Sequence, residues 1–256
     1  MLKNKKLSGQ NKLEYNYIYT KENPISFITE AHQKFLVNLE FINVDKAYKS
    51  IQITSSLSSE GKSTFLSNVA YLLGQKGLKV ILVDLDLRKP KVHRIINKAN
   101  EDGITDVLTE KISLEKAIKK DTKLGFDALV SGEKASAVVN LLQSNKMKTL
   151  FSDLKKLYDY ILVDSPPVIN VSDALYIAQI TDATVFAISQ QETKRSVAKE
   201  AINLLKQSNV NLIGAVATQV DIRKNAYGYG YGYGYGYGYG YGYDYTYEQN
   251  GNDWLS

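Results

Sequence analysis

The 256 residues include no cysteine, which excludes disulfides and thiolate metal sites and suits a reducing compartment. Long apolar runs are missing too. The N-terminal segment MLKNKKLSGQNKLEYNYIY has no apolar stretch of signal-peptide length, and nothing elsewhere approaches the roughly 20 apolar residues that span a bilayer. The chain is therefore expected to be soluble. Basic charge is not concentrated either. The net charge is +5, but apart from Lys3, Lys5 and Lys6 the lysines and arginines are scattered, so a nucleic-acid partner has no support. The two histidines, His32 and His93, each stand without a second ligand at metal spacing and read as packing or surface residues. What remains is enough chain for one α/β domain with a real core plus extensions.

At the C-terminal end the scarcity reverses. Tyrosine occupies every odd position at Tyr227, Tyr229, Tyr231, Tyr233, Tyr235, Tyr237, Tyr239 and Tyr241, each followed by glycine, and then at Tyr243, Tyr245 and Tyr247. Eleven of the 19 tyrosines lie in this ladder, which has almost no aliphatic residues to contribute to a core. Residues 223–256 are therefore expected to be a disordered tail, and 26–222 a single domain. Residues 1–25 are expected to be a flexible arm in which Tyr15, Tyr17 and Tyr19 repeat the alternation in miniature.

Between the ends, short β-rich runs alternate with longer helical patterns. The runs are Ser50–Thr54, Val80–Leu85, Phe126–Val130, Tyr160–Asp164, Thr184–Ser189 and Leu212–Ala217. Leu66, Val69, Ala70 and Leu73 fall at helical spacing after the first run, and Leu142, Leu150, Leu154 and Leu157 before the fourth. A further helix over Phe27–Phe41 offers Ile28, Phe35, Leu36 and Leu39 to the sheet or to a neighbouring subunit. The alternation predicts an α/β fold, a mostly parallel sheet with helices on both faces. Ligands of such sheets bind at the carboxyl ends of the strands.

Three strand ends carry chemistry. Ser56-Leu-Ser-Ser-Glu-Gly61-Lys62-Ser63-Thr64 matches the phosphate loop G-x-x-x-x-G-K-[ST], except that Ser56 replaces the first glycine. Such a loop wraps backbone N–H groups of Ser58, Ser59, Glu60, Gly61 and their neighbours around phosphate oxygens at a helix N-terminus. Gly61 permits close approach, Lys62 reaches the terminal phosphates, and the Ser63 hydroxyl suits Mg²⁺. The second end, Ile81-Leu-Val-Asp84-Leu-Asp86-Leu-Arg88, places two carboxylates two residues apart past a buried strand. One suits water held by Mg²⁺ and the other a proton from an attacking hydroxyl. The third, Tyr160-Ile-Leu-Val-Asp164-Ser-Pro166-Pro167, is an apolar strand ending in an acid, the layout of a carboxylate that orients Mg²⁺.

With these three motifs and the ladder, the chain resembles the bacterial tyrosine kinases (BY-kinases) of capsule and exopolysaccharide operons. That family carries a Walker A loop, a Walker A′ motif ending D-x-D-x-R, a Walker B motif ending D-x-x-P, and a C-terminal tyrosine cluster. The resemblance covers roughly residues 25 to 250 and is nearest the stand-alone cytoplasmic form typical of Firmicutes. It implies a P-loop NTPase fold, ATP and Mg²⁺, and an active site of Lys62, Ser63, Asp84, Asp86 and Asp164, with Asp84 or Asp86 as base. It also implies phosphorylation of the ladder tyrosines, assembly with further copies, and recruitment to the membrane by an embedded polysaccharide co-polymerase whose cytoplasmic tail activates the kinase.

The chain departs from the family at four places. Ser58 and Ser59 stand for Pro and Gly in the loop, which predicts altered nucleotide binding. On the early helix Glu30 is followed by Gln33 and Leu36 where relatives have arginines that close a ring. Thr218 or Gln219 stands where relatives carry an adenine-reading asparagine, and Gly132-Glu-Lys-Ala-Ser-Ala replaces a proline-rich stretch. Two other readings stay open. A deviant P-loop switch ATPase usually has a lysine where Leu57 stands, and a weakly catalytic scaffold would use the Tyr-Gly repeat for adhesion.

Overall fold

The computed structural model describes residues 18–43, 46–120 and 123–221. The ladder Tyr227 to Tyr247, and most of the expected arm, lie outside them. The chain divides into a unit Met1–Val220 and a unit Asp221–Ser256, and the fold below is that of the first.

Helix α1 (Tyr19–Glu22) and helix α2 (Phe27–Asn43) lead into strand β1 (Ser50–Ser55), helix α3 (Lys62–Gln75) and strand β2 (Val80–Asp84). Short helices α4 (Val92–Ile95), α5 (Ile104–Leu108) and α6 (Leu114–Ala117) precede strand β3 (Asp127–Leu129). Helices α7 (Val138–Leu142) and α8 (Asn145–Leu157) lead to strand β4 (Tyr160–Asp164), followed by α9 (Asp173–Ala178), β5 (Ala183–Ser189), α10 (Arg195–Gln207) and β6 (Leu212–Thr218). The strands form one parallel sheet in the order β3-β2-β4-β1-β5-β6.

Strands β1 and β2 are buried at every position, as sheets covered on both faces require. One face packs Ile51, Ile53, Leu82 and Leu162 under Leu36, Leu39, Leu66, Val69 and Leu73 of α2 and α3. The other packs Ile81, Val83, Ile161 and Val163 under Leu142, Leu150, Phe151 and Leu154 of α7 and α8. Phe186 joins Ala198, Ala201 and Leu205 of α10 in a third cluster.

Three expectations change. The expected arm gives up its last residues to the folded body: Ile18 and Thr20 are each 1% exposed, and the Thr20 N–H donates to Asn68 Oδ1 at 2.8 Å. The helix expected across Leu142 to Leu157 is two, because the Ser144 hydroxyl accepts the Met147 N–H at 3.1 Å and starts α8 afresh. Leu157 falls outside the core at 53% exposure. Leu36, at a position where relatives have arginine, is 1% exposed and belongs to the interior. No described helix is long and apolar enough to cross a membrane.

Candidate active site

The phosphate loop leaves β1 at Ser55 and enters α3 at Lys62. Ser59 (φ 68°) and Gly61 (φ 80°) both take left-handed backbone, and a Cβ on Gly61 would come 3.2 Å from the Thr218 Cβ. Glycine is needed there on both counts. The loop is pinned from behind. Glu60 is 1% exposed; one carboxylate oxygen accepts the Leu57 N–H at 2.9 Å and the other accepts the Thr193 hydroxyl. The Thr218 hydroxyl donates to the Glu60 carbonyl at 2.7 Å, and the Gln219 amide to the Ser59 carbonyl at 3.0 Å. Ser58 and Ser59 are exposed, so the ends of β5 and β6 hold a loop that lacks the family's proline.

Register creates the acidic centre. Asp84 ends β2 directly opposite Asp164 at the end of β4, and their exposures are 0% and 2%. Asp84 Oδ2 accepts the N–H groups of Lys91 and Val92, both at 2.9 Å, and Asp164 Oδ2 accepts the Ser63 hydroxyl. The other oxygen of each carboxylate is buried with no hydrogen-bond partner among the described residues, as is the Ser56 hydroxyl. Burial, then the neighbouring Asp164 charge, raises the Asp84 carboxyl well above its ordinary value despite the two N–H donors. Burial also pushes Asp164 up to about 6, against the pull of Lys62 and Ser63. Two such carboxylates do not share a dry site comfortably as anions without a cation.

Lys62 supplies one positive charge. It is 6% exposed, donates to Ser55 Oγ at 2.9 Å, and has its ammonium lowered by burial, with Asp164 and Asp86 opposing. Asp86 is half-buried, accepts the Lys89 N–H at 3.0 Å, and is raised by burial. Arg88 reaches across to Asp173 with two bonds of 2.7 and 3.1 Å, tying the segment after β2 to the start of α9.

Lys62, Ser63, Asp84, Asp86 and Asp164 thus converge at the carboxyl ends of β1, β2 and β4. Thr64 is exposed on the first turn of α3, and Thr218 packs behind the loop with its hydroxyl already engaged. Sequence reasoning did not anticipate Ser55, Thr193 or Asp173. Only tertiary proximity marks Thr193, 133 residues from Glu60.

The donor set fits a hard divalent cation: two buried unpartnered carboxylate oxygens beside a hydroxyl. Among the described residues no three His, Cys, Asp or Glu side chains are arranged as a complete set of metal ligands. Loop, sheet and acid-ended strands together define a P-loop nucleotide-binding domain.

Comparison with known proteins narrows the class. An AAA domain family matches residues 48–218. The chain is 36% identical over 219 residues to tyrosine-protein kinase YwqD of Bacillus subtilis, covering 85% of this chain and 92% of that one. The kinase domain of Escherichia coli tyrosine kinase ETK superposes with TM-score 0.78 at 27% identity, over 86% of this chain and 85% of that one. The chimerical protein CapA2B2 gives 0.76 at 29%, over 79% and 89%. This chain belongs to the bacterial tyrosine kinase family. MinD of Pyrococcus horikoshii, solved with Mg-ADP, shares the fold alone, with TM-score 0.56 at 23% identity over 66% of this chain and 69% of that one.

Proposed function

We propose that the protein transfers the γ-phosphoryl group of ATP to tyrosine hydroxyls of its own C-terminal ladder, Tyr227 to Tyr247, presented by a second copy. By this it regulates capsular or exopolysaccharide synthesis and export. The observation that carries the reading is the pair Asp84 and Asp164, buried side by side with Lys62 and Ser63 within reach. Loop N–H groups from Ser58 to Thr64 bind the phosphates, and Lys62 leaves Ser55 for the terminal ones. Ser63, Asp84 and Asp164 would hold Mg²⁺, which neutralises charge on the transferring group. A phenol with pKa near 10 is a poor nucleophile at neutral pH, so its proton needs an acceptor. One Asp84 oxygen accepts two backbone N–H groups and the other would face Mg²⁺, which leaves half-buried Asp86 as the base. The bond from the γ-phosphorus to ADP breaks, the bond to the tyrosine oxygen forms, and the phenolic proton passes to Asp86.

Self-association is supported by Phe27, Val37, Phe41 and Ile42, exposed on α2 at 63%, 45%, 73% and 42%. The partner in this reading is a membrane-embedded polysaccharide co-polymerase, whose cytoplasmic segment recruits the kinase from the cytoplasm and activates it. Intact mass after incubation with Mg-ATP and that segment tests the proposal. Repeated gains of roughly 80 Da, absent in Lys62→Met, are expected. ATP hydrolysis with no gain in mass would replace the kinase with a nucleotide switch.

A further inference from the structure

One residue past Asp86 the chain borders a cavity of about 510 Å³, walled in part by Leu87, Arg88, Lys134, Ser136, Val138 and Asn140. Its lining includes two cations and no acid. Arg88 is fixed by its paired bonds to Asp173 yet keeps 44% of its side chain exposed, and Lys134 is exposed on the facing loop. The charge of this wall complements one part of the ladder. The eight Tyr-Gly pairs carry no charge, whereas Tyr243-Asp244-Tyr245-Thr246-Tyr247-Glu248 carries two acids.

We infer that this cavity is the acceptor subsite, that it seats residues 243–248 of a second copy first, and that Arg88 and Lys134 select an anion beside the tyrosine presented to Asp86. The inference rests on the kinase reading and adds an order to it. In an extended segment, residues two apart lie about 6.8 Å from one another on the same side. A phosphotyrosine brings about −1.5 to −2 charges and strong acceptor oxygens. Asp244 and Glu248, each next to a tyrosine and on the opposite side of an extended segment, draw the segment to the cationic wall through its net charge, whereas each product sets its anion on the tyrosine side, one repeat away. Modification begins at the acidic end and spreads toward Tyr227, every phosphate anchoring the next transfer.

Site-resolved mass spectrometry of the full chain during incubation with Mg-ATP reads the order. The first phosphates are expected on Tyr243, Tyr245 and Tyr247, and the double variant Asp244→Asn, Glu248→Gln is expected to lose that order. In parallel, the full-length enzyme is given the peptide GYDYTYE and its amide counterpart GYNYTYQ. Lys134→Glu is expected to raise KM for the first by about five- to tenfold, leaving kcat, ATP hydrolysis and the second peptide unchanged. Phosphates that appear evenly along the ladder, or a KM that Lys134→Glu does not move, would overturn the subsite while leaving the kinase intact. A wild-type chain that hydrolyses ATP but phosphorylates neither ladder nor peptide overturns both.

Discussion

His32 lies against Phe65 with ring centroids 5.1 Å apart, and its Nδ1 sits 2.8 Å from the Ile28 carbonyl oxygen. Burial lowers its pKa below 6.5, with the Ile28 hydrogen bond opposing. The unfolded chain therefore binds this proton more readily, and stability is lost as pH falls below 6.5 toward the folded value. The carboxyls of Asp84 and Asp164, raised by burial, act in the opposite sense, so the total pH curve mixes both. Comparing urea midpoints of wild type and His32→Phe across about pH 5 to 8 isolates the histidine: the variant is expected to lose less stability on acidification. An equal loss in both proteins would remove His32 as the cause. At this scale the candidate residues were more legible than the geometry that brings them together. Lys62 and Ser63 were legible from the Gly-Lys-Ser spacing of the loop, and Asp84 and Asp164 because each ends an apolar run. That Asp84 and Asp164 end in register was not, since only the insertion of β4 between β2 and β1 makes them neighbours. The same holds for Thr193 and Gln219, which brace the loop from strands far along the chain.

Helix α3 carries a glycine whose replacement separates local propensity from packing. In a free helix Gly74→Ala would stabilise by about 1 kcal/mol. Here a Cβ at Gly74 would stand 2.1 Å from the Gly125 carbonyl oxygen and 2.8 Å from its carbon, so the segment entering β3 crosses directly over the helix. Backbone cannot swing away as a side-chain tip can, and Gly125 itself is held at φ 73°. Gly74→Ala is expected to destabilise by about 1–3 kcal/mol, read as a lower thermal midpoint; a raised midpoint would show that the crossing yields. All six strands were legible within a residue or two, the interior ones because a sheet covered on both faces demands apolar runs, and edge strand β6, largely exposed or half-buried, from its β-rich composition alone. The elements that escaped are those made by tertiary contact or by a single cap. Helix α1 has four residues and is anchored by Asn68, while Ser144 divides α7 from α8 within one apolar pattern.

At the scale of the whole molecule the question is which copy's ladder meets which copy's site. The fold described ends within a few residues of Thr218, and the first ladder tyrosine is Tyr227. By sequence position Tyr227 lies 9 residues past Thr218 and Tyr247 lies 29, so the tether between the folded domain and each tyrosine differs in length. In the proposed delivery from a second copy, that tether no longer sets which tyrosine meets the site. It also links modification to assembly, because full phosphorylation adds on the order of −20 charges to a chain of net +5. Two full-length variants separate the routes. Lys62→Met keeps every proposed acceptor and loses the lysine proposed to bind phosphate; the chain with all eleven ladder tyrosines changed to phenylalanine keeps the candidate site and loses the proposed acceptors. Neither alone is expected to gain phosphate on its ladder. Mixed with Mg-ATP and the activating segment, the Lys62→Met chain is expected to gain it, at an initial rate that rises with the concentration of the other variant. A silent mixture beside an active wild type would confine transfer to each chain's own tail, and phosphorylation would then disperse copies without having needed them to meet.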